Sequence, residues 1–270
     1  MTDPLIPHIH SIESIQEEGG GVLTLFFSRE GFSPITPGQG FKISVFGRGE
    51  TTGVVSEVSK DCFGVSLQDV DSVTHRLFLL SEGQALGLRG PYGNGLPTEG
   101  WPEGKIGLFS MDMGLAAQRG LVNALLAQGK EVVITHLTTD KENPVLAKAL
   151  EKASEESSPI QVHLIASKDR GNQPWETFLR DQIMKKKILQ GMVGAAVGGT
   201  RPFQKVLMGI LEKSRLRDKD IYFLVNRNWT TGLGWSNQDL LAGVNIWTRG
   251  PVFDLATLRD LSEDALGLND

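Results

Sequence analysis

Few residues of this sequence combine a reactive side chain with the spacing that catalysis or metal binding requires. The chain of 270 residues has one cysteine, Cys62, so it cannot form an internal disulfide or supply the paired thiolates of a zinc or iron–sulfur site. Asp61 and Phe63 flank Cys62 in a strand-like run, which favours a half-buried structural thiol over a nucleophile. Thiol chemistry is therefore not expected.

The five histidines form no catalytic or metal-binding pattern. Two of them, His136 and His163, lie on predicted parallel strands, where a satisfied core or strand-end histidine is the ordinary interpretation. No serine or cysteine nucleophile motif accompanies any of the five. A hydrolase is not supported. The complete set is His8, His10, His75, His136 and His163.

Composition and charge exclude several classes of protein. Apolar residues make up 40% of the chain and charged residues 22%, as in an ordinary globular protein. The formal net charge is −5, and the longest basic run is Lys185–Lys187, so the sequence has no electrostatic footprint for nucleic acid or an anionic membrane. No signal-peptide pattern or membrane-spanning apolar run is present, and we expect a cytoplasmic protein.

The first hundred residues predict an all-β domain. Short apolar runs with period-two alternation are separated by turn residues about every ten positions, which is typical of a small antiparallel barrel or sandwich. The clearest runs are 21–27, 40–46 and 64–67.

From residue 105 the pattern alternates between strand and helix, which predicts a doubly wound parallel sheet. We expect the strand at 220–225 to close this sheet and a short acidic helix to follow at 254–270. The predicted domains are 1–99, 100–225, and an irregular C-terminal part, 226–270. Predicted strands lie at 105–109, 131–136, 160–165, 192–197 and 220–225, and predicted helices at 114–128, 144–154, 174–188 and 202–213.

Three motifs resemble the ferredoxin-NADP reductase superfamily. They are the Pro-Gly-Gln turn at 37–39, the run Leu-Arg-Gly-Pro-Tyr-Gly-Asn-Gly-Leu-Pro at 88–97, and Arg-Gly-Pro-Val-Phe at 249–253. More narrowly, they resemble the gamma or B-type electron-transfer subunits of hydrogenase, sulfite reductase and dihydroorotate dehydrogenase. The resemblance covers nearly the whole chain. It implies a flavin on the barrel, a nicotinamide nucleotide on the α/β domain and a [2Fe-2S] cluster near the C-terminus.

The ligands of that cluster have been replaced. The family's four cysteine positions carry Thr231, Ser236, Asp239 and Trp247, while the glycine frame around them is kept. None of these residues supplies a thiolate, so we expect no [2Fe-2S] cluster. An all-oxygen metal site is a remote alternative, because hard cations usually need several carboxylates. We therefore predict no metal site.

The nicotinamide nucleotide motif has also changed. The resemblance places paired glycines where this chain has Met111 and Asp112, and glycines at such a loop let the backbone approach a diphosphate. A thioether would fill that space and a carboxylate would repel the phosphates. Arg201 at the start of a later helix is more simply a solvated charge than a phosphate ligand. The sequence therefore does not favour NAD(P)H binding.

The flavin site is the least decided. The resemblance implies that Thr52, Gly53 and Val54 line the flavin ring, and that the backbone of Ser72, Val73 and Thr74 contacts its diphosphate. Several family residues differ, including Asp71 in place of a glycine. FAD therefore stays an open alternative to an empty or repacked cleft. No catalytic residue can be assigned.

The leading hypothesis is an accessory or electron-transfer subunit of a redox complex, with other protein subunits as partners. The alternatives are an active flavin-dependent oxidoreductase subunit that takes electrons from a protein partner, and a non-redox small-molecule sensor. The former cluster loop carries Trp229, Trp235 and Trp247. Clustered tryptophan is typical of interfaces, so these side chains either dock a partner or fill the vacated cluster volume.

Overall fold

A computed structural model of the chain describes residues 6–32, 34–139, 144–146, 159–224 and 252–256. Its first sheet is a half-open antiparallel barrel of seven strands in the order β1-β7-β4-β5-β6-β3-β2, so β1 and β2 are its two edges. A short helix, α1 (Ser72–Leu77), connects β6 to β7. The strands are β1 (His8–Ser11), β2 (Ser14–Gly19), β3 (Val22–Ser28), β4 (Gly40–Val45), β5 (Gly49–Val58), β6 (Cys62–Gln68) and β7 (Ala85–Tyr92).

Alternation along these strands separates an apolar inside from a more polar outside. Phe41 on β4 and Phe63 on β6 are fully buried inside, with ring centroids 4.8 Å apart. Gly53 on β5 faces the same interior, and a Cβ there would lie 2.4 Å from Val65 Cγ1. The position therefore has room only for glycine, because close-packed cores do not accommodate an overlap of this size.

The second sheet has six strands in the order β10-β9-β8-β11-β12-β13, and the first five are parallel. An antiparallel barrel followed by a parallel α/β sheet is the fold class that the sequence predicts. The exact domain boundaries stay a prediction. The elements are β8 (Lys105–Met111), α2 (Met113–Ala127), β9 (Glu131–Thr138), β10 (Ile160–Ala166), α3 (Trp175–Lys185), β11 (Met192–Gly198), α4 (Arg201–Leu211), β12 (Ile221–Leu224) and β13 (Val252–Asp254).

Two predictions for this sheet are wrong. The strand at 220–225 does not close it, because β13 pairs antiparallel with β12 and forms the edge. A strand of three residues is too short to show a period, so the sequence gives no sign of it. The helix predicted to begin at Pro144 is a turn over 144–146, where Leu146 has φ 58°, outside the right-handed helical region. The rest of that predicted helix lies outside the described residues.

Helix α2 joins the two sheets. Gly120 lies against the barrel, and a Cβ there would be 2.5 Å from Pro37 Cγ and 3.1 Å from Ser56 O. Its neighbour Arg119 donates to the buried carboxylate of Glu18 on β2, while the amide of Leu146 donates to Glu18 O at 2.6 Å. The barrel and the α/β sheet are therefore held in one relative position along this helix.

Among the described residues, no helix is long and apolar enough to cross a membrane.

Candidate functional site

The carboxyl ends of β8 and β11 lie where the strand order of the second sheet reverses. Strands β9 and β10 extend to one side of β8, and β11 and β12 to the other. Ligands of open α/β sheets bind in the crevice at such a point. The residues that follow these two strands are therefore the first place to look for a binding site.

The loops after β8 and β11 contact each other across this crevice. Thr200 Oγ1 donates to Met111 Sδ across 3.3 Å. A Cβ on Gly199 would lie 2.8 Å from Met111 Cβ and 3.0 Å from Phe203 Cδ1. Gln204 Nε2 donates to Gly199 O at 2.9 Å, which fixes the loop from the α4 side. The side chain that the sequence predicts to fill glycine space, Met111, thus packs against the opposite loop.

The first turn of α2 closes the same crevice with its backbone. A Cβ on Gly114 would lie 2.2 Å from Gly198 O and 2.7 Å from Gly199 N. Real Cβ atoms do not approach other atoms so closely, so this contact has no room even for a methyl group. The helix N-terminus, where a nucleotide diphosphate would need access to backbone amides, lies directly on the chain that leaves β11.

Asp112 keeps a glycine-like backbone at the head of α2. Its dihedral angles are φ 44° and ψ −118°, in a region that residues with a side chain rarely adopt. Its carboxylate makes no cap on α2 and instead accepts from the amide and the hydroxyl of Thr139, both at 3.3 Å. Burial raises the pKa of Asp112 above its ordinary value, although the two bonds from Thr139 oppose this rise.

A buried polar pair lies beneath this loop on neighbouring strands. Ser110 Oγ on β8 and His136 Nδ1 on β9 are 2.9 Å apart, and both residues are fully buried. His136 Nδ1 has the partner that is expected of a core histidine, whereas Nε2 has none in the described part of the chain. Burial lowers the pKa of His136 to about 4, and the ring is therefore neutral at physiological pH. His163 on β10 is only partly buried.

The three predicted ring-lining residues of the barrel do not share one surface. Gly53 faces the interior, whereas Thr52 and Val54 lie on the outer face of β5. Val54 is 1% exposed and packs in the apolar cluster that includes residues of α2. Only Thr52 is partly accessible. The structure therefore does not bring these three side chains together.

The other predicted flavin residues form the start of α1, and the Asp71 carboxylate already accepts hydrogen bonds from two of their backbone amides. Its carboxylate oxygen Oδ1 accepts from Val73 N at 2.9 Å and from Thr74 N at 2.8 Å. Thr74 Oγ1 in turn accepts from the amides of Val70 and Asp71 at 2.9 and 2.8 Å. This is a complete capping box, in which the chain satisfies its own donors. Ser72 lies exposed within the same turn.

An ion cluster on the outer face of β4, β5 and β7 is not foreseen from the sequence. The carboxylate of Glu50 accepts from Arg89 Nη2 at 2.6 Å and from Ser44 Oγ at 2.9 Å, and it lies 3.3 Å from Lys42 Nζ. Burial raises the pKa of Glu50, but hydrogen bonds from Arg89 and Ser44 and the two cations lower it below its ordinary value. Burial likewise raises the pKa of nearby Tyr92.

One signal in the sequence could have revealed part of this arrangement. An Asp followed three residues later by Thr, as at 71–74, is a helix N-cap pattern. The ion cluster has no such local signature, because its members come from three strands that only the sheet brings together. The replaced cluster positions Thr231, Ser236, Asp239 and Trp247, together with Trp229 and Trp235, lie outside the described residues.

Curated proteins of similar sequence are electron-transfer subunits. The chain is 28% identical over 252 residues to a probable dihydroorotate dehydrogenase B (NAD(+)) electron transfer subunit of Methanothermobacter thermautotrophicus, covering 92% of this chain and 89% of that protein. The corresponding subunit of Thermoplasma acidophilum is 21% identical over 253 residues, covering 94% and 91%. No family model matches the sequence.

Solved structures share the fold. The NADH-dependent reduced ferredoxin-NADP oxidoreductase aligns with a TM-score of 0.66, at 15% identity, over 98% of this chain and 95% of that one. The chain therefore has the fold of ferredoxin-NADP reductase-like proteins. A ferredoxin-NADP+ reductase from Plasmodium falciparum aligns with a TM-score of 0.64, at 14% identity, over 80% and 95%. The shared fold and the similarity to electron-transfer subunits confirm the resemblance that the three motifs indicate.

Proposed function

We propose that this chain is an accessory subunit of electron-transfer type in a larger redox enzyme, and that it does not itself exchange hydride with NADH or NADPH. Its similarity to subunits of multi-subunit enzymes supports the first part. The contact between the loops after β8 and β11 is the observation that carries the second part. The cytoplasmic location stays a prediction.

Nucleotide binding in the superfamily manner would require these loops to separate. Met111 would have to leave Thr200 and Gly199, and Gly114 would have to move away from Gly198. Asp112 would add a carboxylate beside the incoming phosphates, where like charges repel. The residues present therefore do not fit a nicotinamide dinucleotide.

The proposed function includes no iron–sulfur cluster, because the chain has too few cysteines to hold one. The chain has a single cysteine, and Cys62 lies at the start of β6 in the barrel. Clusters of the ferredoxin type need four thiolates, or two thiolates and two imidazoles in Rieske centres. One thiolate meets neither requirement.

FAD in the superfamily manner also meets an obstacle. The amides of Val73 and Thr74, which the resemblance assigns to the diphosphate, already donate to the Asp71 carboxylate. A diphosphate would have to displace an anion that is covalently part of the same turn. These residues do not fit the diphosphate of FAD.

A flavin-dependent subunit is the second candidate, and one observation favours it. Lys42 and Arg89 are two cations that pair with Glu50 on the outer barrel face, and Lys42 lies opposite Thr52 in the pairing of β4 with β5. Such a face attracts phosphate-bearing ligands. A flavin held there would have its phosphate near these cations rather than at α1.

One experiment tests the proposal. The purified chain is incubated anaerobically with NADH, excess FAD and ferricyanide, and NADH consumption is followed at its absorption maximum. We expect no consumption above that of free flavin. Consumption that depends on the chain and saturates with NADH would contradict the proposal, and a flavin spectrum that survives gel filtration would favour the second candidate.

A further inference from the structure

A groove lies at the amino end of β11 in the second sheet, opposite to the nucleotide crevice. It has a volume of about 580 Å³ and runs between the end of α3, the start of β11 and the segment after α4. The crevice lies at the carboxyl ends of β8 and β11, whereas this groove borders Met192, the first residue of β11. The two are separated by the length of the strand, so a function of the groove is independent of the crevice.

The floor of the groove is apolar and continues the hydrophobic core. Ile183 and Met192 belong to the buried cluster between α3, α4 and the sheet, and Leu189 and Leu216 pack against that cluster while partly exposed. Met184 at the rim is 66% exposed. Methionine adapts its shape to different apolar partners, which is a property of binding surfaces.

The rim of the groove is cationic although the chain as a whole is acidic. Lys187 and Arg215 line the groove and are exposed, and in the described part of the chain neither forms an ion pair. The two segments 183–192 and 212–216 contain five basic residues and one acidic residue, Glu212. The whole chain, in contrast, has a net charge of −5. The basic residues are Lys185, Lys186, Lys187, Lys213 and Arg215.

Lys187 also occupies a backbone position that favours glycine. It has φ 51° and follows the C-cap residue Lys186 of α3, and the amide of Ile188 closes the turn on Ile183 O at 3.0 Å. Glycine is the usual residue at such a left-handed helix end, and a side chain there costs about 1 kcal/mol. A lysine at the rim is thus kept at a cost in stability.

We propose that this groove docks an acidic amphipathic helical segment of a partner subunit. Apolar side chains on one face of that segment pack against Leu189, Met192 and Leu216, while its carboxylates pair with Lys187 and Arg215. Charge complementarity favours a negatively charged partner, and the apolar floor buries the apolar side chains of that partner. The inference rests on the proposed function only in taking the chain to be a subunit.

A peptide of about four helical turns tests this docking. The probe has leucine at positions spaced three and four apart and glutamate at the remaining exposed positions, with a fluorophore at one end. With the full chain, we expect saturable anisotropy that weakens with added salt. The double variant K187E/R215E should bind about tenfold more weakly or worse, and the same peptide with lysine for glutamate should not bind.

Matched variants separate docking from stability and from overall charge. R48E/K60E makes the same change in net charge at exposed barrel positions and should bind as the unmodified chain does. Lys187→Gly removes one cation while giving the backbone its preferred residue, so it should weaken binding without lowering the melting temperature. Equal binding by all variants, or no binding by the unmodified chain, would overturn the proposal.

Cross-linking distinguishes a partner segment from two other occupants of the groove, the C-terminal residues of this chain and a second copy of it. With benzoylphenylalanine in place of Met184, the full chain is irradiated alone and then with the peptide. A peptide adduct supports the proposal. An intramolecular adduct to residues 257–270, or a covalent dimer, would overturn it, because the groove would then be covered by this chain itself. NADH consumption is not involved, so failure here leaves the proposed function intact.

Discussion

The guanidinium of Arg119 on α2 donates to the carboxylate of Glu18 on β2 across 2.6 Å and so joins the two sheets. Glu18 has a side chain that is 2% exposed, and it also accepts from Thr24 Oγ1 at 2.9 Å. The second terminal nitrogen of Arg119 lies 3.0 Å from Glu57 without hydrogen-bond geometry. One side chain of α2 thus holds two carboxylates of the barrel.

Loss of Arg119 should destabilise the protein strongly. Arg119→Met keeps much of the side-chain volume but leaves Glu18 as a buried charge, and breaking a buried ion pair in this way costs about 3 kcal/mol. Urea unfolding measures the change. Arg180→Met is the matched control, because Arg180 pairs with Glu176 on the exposed surface of α3 and should cost less than about 0.5 kcal/mol. Equal losses of unfolding free energy in the two variants would show that the Arg119–Glu18 pair does not hold the two sheets together.

His136 should make the protein less stable in acid. Its pKa is about 4 in the folded chain against an ordinary value of 6.5, so the unfolded chain binds a proton first as the pH falls. Stability is therefore complete above pH 6.5, falls below it and levels off below about pH 4, with a total loss of about 3 kcal/mol.

The measurement is the difference in unfolding free energy between the unmodified chain and His136→Asn from pH 7.5 to 4. Asparagine keeps a polar group near Ser110 and cannot titrate. The difference in unfolding free energy between the two proteins should change by about 3 kcal/mol across this range of pH. Burial also lowers the pKa of His10 and His163, but both are present in the two proteins and cancel. A gap that does not vary with pH would show that His136 does not titrate as proposed.

Asp71 should contribute the energy of a helix cap. Asp71→Ala leaves the amides of Val73 and Thr74 without their acceptor, and N-cap removal costs about 1 kcal/mol. Thermal unfolding should show a lower melting temperature. Asp69→Asn removes a neighbouring charge that pairs with exposed His75 and should have little effect. An unchanged melting temperature for Asp71→Ala would argue against the capping box.

Asp112→Gly should stabilise the protein. Glycine adopts φ 44° and ψ −118° without steric cost, and substitution also removes a carboxylate whose pKa is raised by burial. We expect a gain of about 1 kcal/mol at neutral pH, reduced by loss of the two long bonds from Thr139. The gain should shrink as the pH falls, because the protonated carboxyl is easier to bury. Denaturant titrations at pH 7.5 and 5 measure both effects.

The sequence predicts the fold well where elements have a clear period. The barrel runs and the strands that begin at Lys105, Glu131, Ile160 and Met192 are found where alternation or short apolar runs place them. Strand β13 is missed because three residues show no period and its partner is distant in sequence.

The site could be predicted only in part. Replaced glycines can be read directly, so Met111 and Asp112 are found from the sequence. The direction in which each side chain turns is set by contacts across the sheet. Met111 meets Thr200, which is 89 residues away, and Asp112 turns to Thr139 rather than to its own helix. The Glu50 cluster depends likewise on strand pairing, which local sequence does not show.

The central claim is that the crevice between the β8 and β11 loops is closed to nicotinamide dinucleotides. Isothermal titration of the full chain with NADH and with NADPH tests it directly. We expect no measurable heat of binding for the unmodified chain, and measurable binding by M111G/D112G, which removes the thioether and the carboxylate from the loop. Micromolar binding of either nucleotide by the unmodified chain would contradict the account.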